Sequence, residues 1–378
     1  MMLYDIIVRS SRQALRLKGK KKFMPPGHDG PHYDEETPVR NSSHWLITFL
    51  KAYDITKDEK FREASIDLAE YLISKDARPM DANFFHRKNP EKDFCNNLIG
   101  AAWTIEALVE ASKKLKKNKY KKIAKEVFLM HDFNKEIGLW YRRNVDGSKG
   151  SIDHTFNHQL WFAAAGSMIG KNKNINKFLD MTPKLMRVNP DGLIDIGIRK
   201  HSKNTFKRIF YSLDFLFNTS KIRKKINYYK AVGYQGFHLY GFALLYKNFP
   251  DHRFWETKIF QKSLLYILTD EYKKSLDKPI DFDTKKRIPK GTKILIHNRY
   301  GYAYNPPGFE NAYAILIFKK LLPDDIDYKK LASYWISKQI NHCYNFKENM
   351  MNKNTHDPLT LAARLYEVVR LPNLELKL

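Results

Sequence analysis

The 378-residue sequence predicts an all-α fold, six helical hairpins closed into an (α/α)6 toroid that makes one domain over residues 1–378. Three observations predict it. Apolar residues recur at helical spacing in about twelve stretches, and almost no segment reads as strand. The stretches alternate between helices apolar nearly all round and helices with a charged face. Longer loops, rich in Gly, Pro, Asn and Asp, lead mainly into the all-apolar helices.

In order, helices are expected over residues 42–54, 58–75, 96–114, 118–131, 155–169, 173–187, 234–248, 253–274, 309–321, 325–341 and 358–371, with a weaker one over 3–17. NNLIGAAWTIEAL, TFNHQLWFAAAGSMI, YQGFHLYGFALLY, GFENAYAILIF and DPLTLAARLYEVV are the all-apolar kind. A helix apolar all round must be buried, so these form an inner ring. KFREASIDLAEYLI, YKKIAKEVFLMH and YKKLASYWISKQI have two faces and belong outside. Loops at about residues 20–41, 76–93, 142–152, 188–233 and 275–307 then crowd one end of the toroid, where long loops tend to carry function. KILIHNRYGYAYN (293–305) reads as a short hairpin on that rim.

Hydrophobic residues at 43% and aromatics at 14% supply a substantial core and exclude a disordered chain. Cys95 and Cys343 match no metal or redox spacing and read as reduced thiols. Arg9, Arg12 and Arg16 interrupt the apolar N-terminal run, so no secretory signal is expected there. No window approaches the roughly eighteen apolar residues of a membrane helix. The cytoplasm is the expected compartment. The net charge of +26 favours an acidic ligand without choosing one, because the lysines are spread along the chain. Their densest run, 113–125, reads as a solvated face, and nucleic acid is the less favoured partner. No P-loop, GxGxxG, HExxH or zinc spacing is present, so neither cofactor nor metal is expected. Nothing in the sequence sets an oligomeric state.

The unusual polar residues sit at the inner-helix starts. Tyr33, Asp34, Glu35, Glu36, Arg40, Asn41 and His44 precede or open the first, and His86, Arg87, Asn96 and Asn97 the second. Asp153, His154, Asn157, His158, Gln159 and Trp161 belong to the third, and Tyr234, Gln235, His238 and Tyr240 to the fourth. His297, Arg299, Tyr300, Tyr302, Tyr304, Asn305, Glu310 and Asn311 surround the fifth, and Asn354, His356 and Asp357 the sixth. Each has a plain alternative: Asp153, Thr155 and Asp357 are good helix caps, and His44 and His238 fit a core. Burying unpaired polar groups costs about 1–3 kcal/mol each, so a shared cavity is the economical reading of six such starts together. Tyr, Trp, Asn, Gln, His and Arg in this mixture suit a glycan, with aromatic platforms for the sugar ring and polar groups for its hydroxyls.

The segments NFFHRKNPEKDFCNNLIGAAWTIEAL, FNKEIGLWYRR and DHTFNHQLWFAAAGS resemble the six-hairpin glycosidase superfamily, in particular glycosidase-like proteins of prokaryotic surface-glycan and archaeal protein-glycosylation clusters. The resemblance is tightest over residues 83–169. It implies a carbohydrate-active enzyme in glycan assembly, acting on an oligosaccharide or polysaccharide that can contain uronic acid. Hydrolysis is the first expectation, and it needs two carboxyl groups roughly 5–9.5 Å apart. Asp153, Glu310 and Asp357 are the candidates, with Asp34 or Glu35 behind them. A uronate lyase or C5-epimerase is the alternative, with His158, His238 and Tyr304 as acid–base groups and Asn157 and Arg299 on the carboxylate. Arg40, His44, His86, Arg87, Asn96, Asn97, Gln159, Trp161, Tyr234, Tyr302 and His356 complete the expected substrate contacts. A non-catalytic polyanion-binding scaffold is the third class.

Overall fold

The computed structural model describes residues 1–199, 221–279 and 295–378. The inner ring consists of α2 (Val39–Thr56), α4 (Asn97–Leu115), α6 (Phe156–Ile169), α8 (Lys221–Asn248), α11 (Pro307–Ile317) and α13 (Pro358–Ala363). A 3-10 turn (Arg364–Val368) extends α13 and packs on both α11 and α2, which closes the ring. Each inner helix lies beside the next, α2 on α4, α4 on α6, α6 on α8 and α8 on α11. Outside them run α3 (Glu59–Leu72), α5 (Asn118–Met130), α7 (Lys173–Leu185), α9 (Lys258–Tyr266), α10 (Asp270–Asp277) and α12 (Tyr328–Cys343). The N-terminal helix α1 (Leu3–Lys18) packs on α2 and is tied to the C-terminal tail, where Leu3 N–H donates to the Leu374 carbonyl at 2.9 Å. This is the (α/α)6 toroid, and its core follows the two helix kinds. On α6 every residue from Phe156 to Ser167 except His158 is buried, whereas α7 buries only a stripe of Ile175, Phe178, Leu179, Thr182 and Leu185.

Four local features differ from the sequence expectation. A small antiparallel sheet, β1 (Phe133–Asn134), β2 (Leu139–Arg143) and β3 (Lys149–Ile152), occupies the connection between α5 and α6, with β2 central. Leu139 and Trp140 are buried at its inner end, and those alternating aromatic and aliphatic residues were too few to read as strand. The helix expected from residue 234 begins at Lys221. The segment 253–274 is not one helix. Thr257 caps α9 through the Phe260 N–H at 3.4 Å, and Thr269 caps α10 through the Tyr272 N–H at 3.2 Å. Two threonine caps therefore break it into three, a 3-10 turn (Arg253–Glu256), α9 and α10. Residues 295–305 form bends and turns rather than a hairpin arm, and 293–294 lie outside the described residues. The buried Cys95 and Cys343 form no disulfide. Among the described residues no helix is long and apolar enough to cross a membrane.

Candidate active site

The N-terminal ends of the inner ring enclose a cavity of about 350 Å³. Asp29, His32 and Asp34 reach it from the segment before α2. Arg87, Lys92, Asn96, Asn97 and Trp103 come from α4 and its approach, and Thr155, Asn157 and His158 from the first turn of α6. Lys230, Tyr234 and Phe237 of α8, Tyr304 and Asn305 ahead of α11, and Arg364 after α13 complete the wall. Trp103 and Phe237 give it apolar faces.

Of the residues expected from sequence, the cavity gathers Asp34, Arg87, Asn96, Asn97, Asn157, His158, Tyr234, Tyr304 and Asn305. A second group lies behind the wall and holds lining residues. Asp153 Oδ2 is 2.8 Å from His158 Nδ1, and its Oδ1 accepts the Thr155 N–H at 3.0 Å. Arg40 donates to Asp29 at 2.7 Å and to Glu36 at 3.0 Å, with its guanidinium 4.2 Å from the Trp103 ring centre. Asp357 caps α13 through the Thr360 N–H at 3.1 Å, and its Oδ2 accepts the N–H groups of His28 and Gly30, each at 2.9 Å. Those two amides flank Asp29. His356 Nδ1 lies 2.8 Å from the Tyr33 hydroxyl, and Arg299 donates to the Pro31 carbonyl at 3.1 Å. Glu310 is fully buried and accepts from Arg364 at 2.8 Å.

A third group belongs to the interior. His44 stacks on Tyr366 with ring centres 4.2 Å apart. His86 Nε2 is 3.2 Å from the Thr104 hydroxyl. Gln159 bonds the Trp140 backbone at both ends, at 2.9 Å each. Trp161 stacks between Phe237 and Tyr240, His238 packs on Phe156, and Tyr302 stacks on His342.

Sequence reasoning passed over Asp29, His32, Lys92, Trp103, Lys230, Phe237 and Arg364. Asp29 sits in the left-handed backbone region (φ 58), and Gly30 beside it (φ 55) is needed because a Cβ there would meet the Tyr304 ring. The GHDG turn at 27–30 was the available signal for this segment.

The electrostatics of the wall are uneven. Burial alone would raise the Asp29 carboxyl, but His32, Arg40 and the Tyr304 hydroxyl (2.6 Å) outweigh it and hold it below the usual range. Burial also works against Asp153, and again its partners prevail, here His158 and the backbone amides. Burial with Lys230 nearby pushes His32 down to about 3, so its imidazole is neutral, with Nε2 3.2 Å from the Tyr234 hydroxyl. Asp34 is occupied by Lys92, by Asn89 at 3.0 Å and by Arg87 at 3.5 Å. The carboxyls with raised affinity for protons are elsewhere: Glu36, pushed up to about 8 by burial, Glu106, raised by burial beside Arg370, and the Glu310–Glu367 pair around Arg364. None of these four lines the cavity. Among the described residues no cluster of His, Cys, Asp and Glu is placed to hold a metal ion.

The wall therefore offers four cations, two tied carboxylates, a string of amides and phenols, and one imidazole held from behind by a carboxylate. No known protein-family model matches the chain. In structure it is similar to an inactive variant of the α-1,6-mannanase GH76A of Salegentibacter sp. HEL1_6 in complex with α-1,6-mannotetrose. That match has a TM-score of 0.54 at 13% identity and covers 97% of this chain and 98% of the mannanase. It is also similar to the cellobiose 2-epimerase of Bacillus thermoamylovorans, with a TM-score of 0.59 at 11% identity and 95% of each chain covered. In sequence it is 35% identical to the archaeal glycosylation protein Q of Haloferax volcanii over 394 residues, 100% of this chain and 99% of the relative. The chain has the six-hairpin glycosidase fold and belongs to the family of archaeal glycosylation protein Q.

Proposed function

We propose that this protein is a glycan-processing enzyme that moves a proton on an acidic sugar, with His158 as the group that takes or gives it. The observation that carries this reading is the 2.8 Å contact from Asp153 to His158 Nδ1 at the cavity wall. A carboxylate on one ring nitrogen fixes the tautomer and leaves the other nitrogen for substrate, the arrangement a general base needs. The relative's name ties it to glycosylation, and proteins of the same fold include a mannanase and a sugar epimerase.

The rest of the wall suits a uronate. Arg87, Lys92, Lys230 and Arg364 bring positive charge, and Trp103 and Phe237 bring ring-sized apolar faces. In the step, His158 takes the proton from the carbon beside the sugar carboxylate. The electron pair moves into that carboxylate, where the cations stabilise the developing charge. The Tyr234 phenol, hydrogen-bonded to His32, returns a proton to the opposite face in an epimerisation. In an elimination the neighbouring C–O bond breaks instead.

Hydrolysis is the second reading, favoured by the two carboxylates Asp29 and Asp34 on the wall. It requires one carboxyl protonated at working pH. Asp29 is held ionised and Asp34 is engaged by three partners, which places this reading behind the first. The test is incubation with uronate-containing oligosaccharides in deuterated water. Deuterium at the carbon beside the carboxylate, or an ultraviolet-absorbing unsaturated product, is expected and disappears in His158→Asn. Release of a reducing end without either mark would overturn the assignment.

A further inference from the structure

At the cavity end acids and bases are interspersed, Asp29, Asp34, Glu36 and Asp93 pairing with Arg40, Arg87 and Lys92. The other end is built from the turns that join inner helices to outer ones, and two neighbouring turns there contain lysine without any acid. Between Glu110 and Glu126, across the α4–α5 turn, lie eight lysines and no Asp, Glu or Arg, and the α6–α7 turn adds Lys171, Lys173 and Lys177. Lys114 and Lys119 pair with Asp54 and Glu70. The remaining six of the run, Lys113, Lys116, Lys117, Lys121, Lys122 and Lys125, have no ion pair among the described residues and are exposed or half-exposed.

A second observation lies at the same end. A depression of about 480 Å³ opens between α11, α12 and the C-terminal tail, with walls of Leu316, Ile317, Ile326, Leu371 and Pro372 joined by Tyr313 and Tyr328, and with Lys319, Lys329, Asp327 and the Arg370 that pairs with Glu106 and Glu110 around them. Lys247, exposed at the end of α8, lies within reach of both Arg370 and Lys113, and partial desolvation and these two cations outweigh Glu110 and disfavour its charge. Like charges assembled at a face cost stability unless a counter-charge meets them.

We infer that this end of the toroid is an interaction surface for an anionic lipid bilayer, with headgroups on the lysines and apolar lipid in the depression. Two features select lipid over nucleic acid. The run contains no arginine, and its single aromatic, Tyr120, is fully buried and so cannot stack on a base. The depression is walled by aliphatic side chains, which suit acyl or isoprenoid chains, and by Tyr313 and Tyr328, a residue type that sits at the headgroup level. Docked this way, the cavity mouth faces away from the membrane. The inference stands apart from the reaction assigned to His158.

The experiment is co-sedimentation of the full chain with phosphatidylcholine vesicles and with vesicles containing phosphatidylglycerol. Binding only to the anionic vesicles, falling as salt is raised, is expected. One lysine near an anionic leaflet contributes roughly fivefold in affinity, so Lys116→Glu, Lys117→Glu and Lys121→Glu combined should weaken binding at least about 100-fold. Ile326→Ser should weaken it further, and neither variant should alter turnover in the cavity. Wild-type salt dependence reads the same interaction if a variant fails to fold. Equal binding to neutral vesicles, no binding at low salt, an unaffected lysine variant, or tighter binding to single-stranded RNA than to the anionic vesicles overturns the inference.

Discussion

His158 Nδ1 and Asp153 Oδ2 stand 2.8 Å apart at the first turn of α6, and the same carboxylate accepts the Thr155 N–H that opens that helix. Local structure and chemistry thus share one side chain. His158→Asn should lower kcat between about a hundredfold and ten-thousandfold with little change in melting temperature, the range a lost general base produces. Asp153→Asn should lower kcat as well, but it should also cost stability, because the Thr155 and Leu98 amides lose a charged acceptor. Steady-state kinetics with thermal melts on both variants checks this. Equal melting losses in the two would show that His158 acts structurally.

Asp357 has the opposite balance. Its two oxygens accept three backbone amides, those of His28, Gly30 and Thr360, and so bind the rim segment bearing Asp29 and His32 to the start of α13. Asp357→Ala leaves the buried Gly30 amide unsatisfied and removes a helix cap, at about 2–4 kcal/mol together. Hydrogen exchange should show residues 27–34 losing protection before the rest of the ring opens. A variant that keeps full stability and protection while losing turnover would mark Asp357 as an acid–base group instead.

These two aspartates show what was legible in the sequence. The toroid was readable because helix pairs repeat at a period that twelve stretches reinforce, and because apolar-all-round helices have only one place to go. Asp153 and Asp357 stood out as polar residues at buried starts. Which of them would stand next to a cavity-facing base was not readable, since that depends on which way each oxygen points. Asp29 and His32 lie in a turn-rich segment without periodicity, positioned by contacts some 275 and 202 residues away, to Tyr304 and Tyr234. Lys230 was missed because α8 runs into the ring from Lys221, in sequence too charged to read as an inner helix. Trp103 and Phe237 read as core, and each does bury most of its surface while showing one face to the cavity.

Arg364 holds two carboxylates inside the protein, Glu310 at 2.8 Å and Glu367 at 2.7 Å. Burial pushes Glu367 up to about 8 from its ordinary 4.5, and burial with the repulsion of Glu367 raises Glu310 as well. Groups with raised folded values bind protons that the unfolded chain has released. Their contribution is complete below about pH 4.5 and is lost as pH rises through about 8. Melting temperature should fall between about pH 6 and pH 9, and Glu367→Gln should flatten that slope. Arg364→Met, which leaves both buried carboxyls without their hydrogen-bond donor, should cost about 1–3 kcal/mol at neutral pH. A Glu367→Gln protein with the wild-type slope would assign the alkaline loss elsewhere.

On the acid side the governing groups are buried neutral histidines. His44 is held far below its usual value by burial, then by Arg40 and Arg364, and neither ring nitrogen has a hydrogen-bond partner among the described residues. The unfolded chain protonates this histidine below about pH 6.5 and the folded chain does not, so stability drops as pH falls from there. At about pH 5 one such histidine accounts for about 2 kcal/mol. Phenylalanine keeps the 4.2 Å stacking on Tyr366 and the edge contact with Trp103 without the titrating ring. Urea denaturation at about pH 7 and pH 5 should therefore show His44→Phe losing about 2 kcal/mol less than wild type. His32, His86 and His238, each at about 3, continue to titrate in the variant, so a smaller acid loss remains. Identical losses in the two proteins would mean that His44 takes up its proton in the folded state after all.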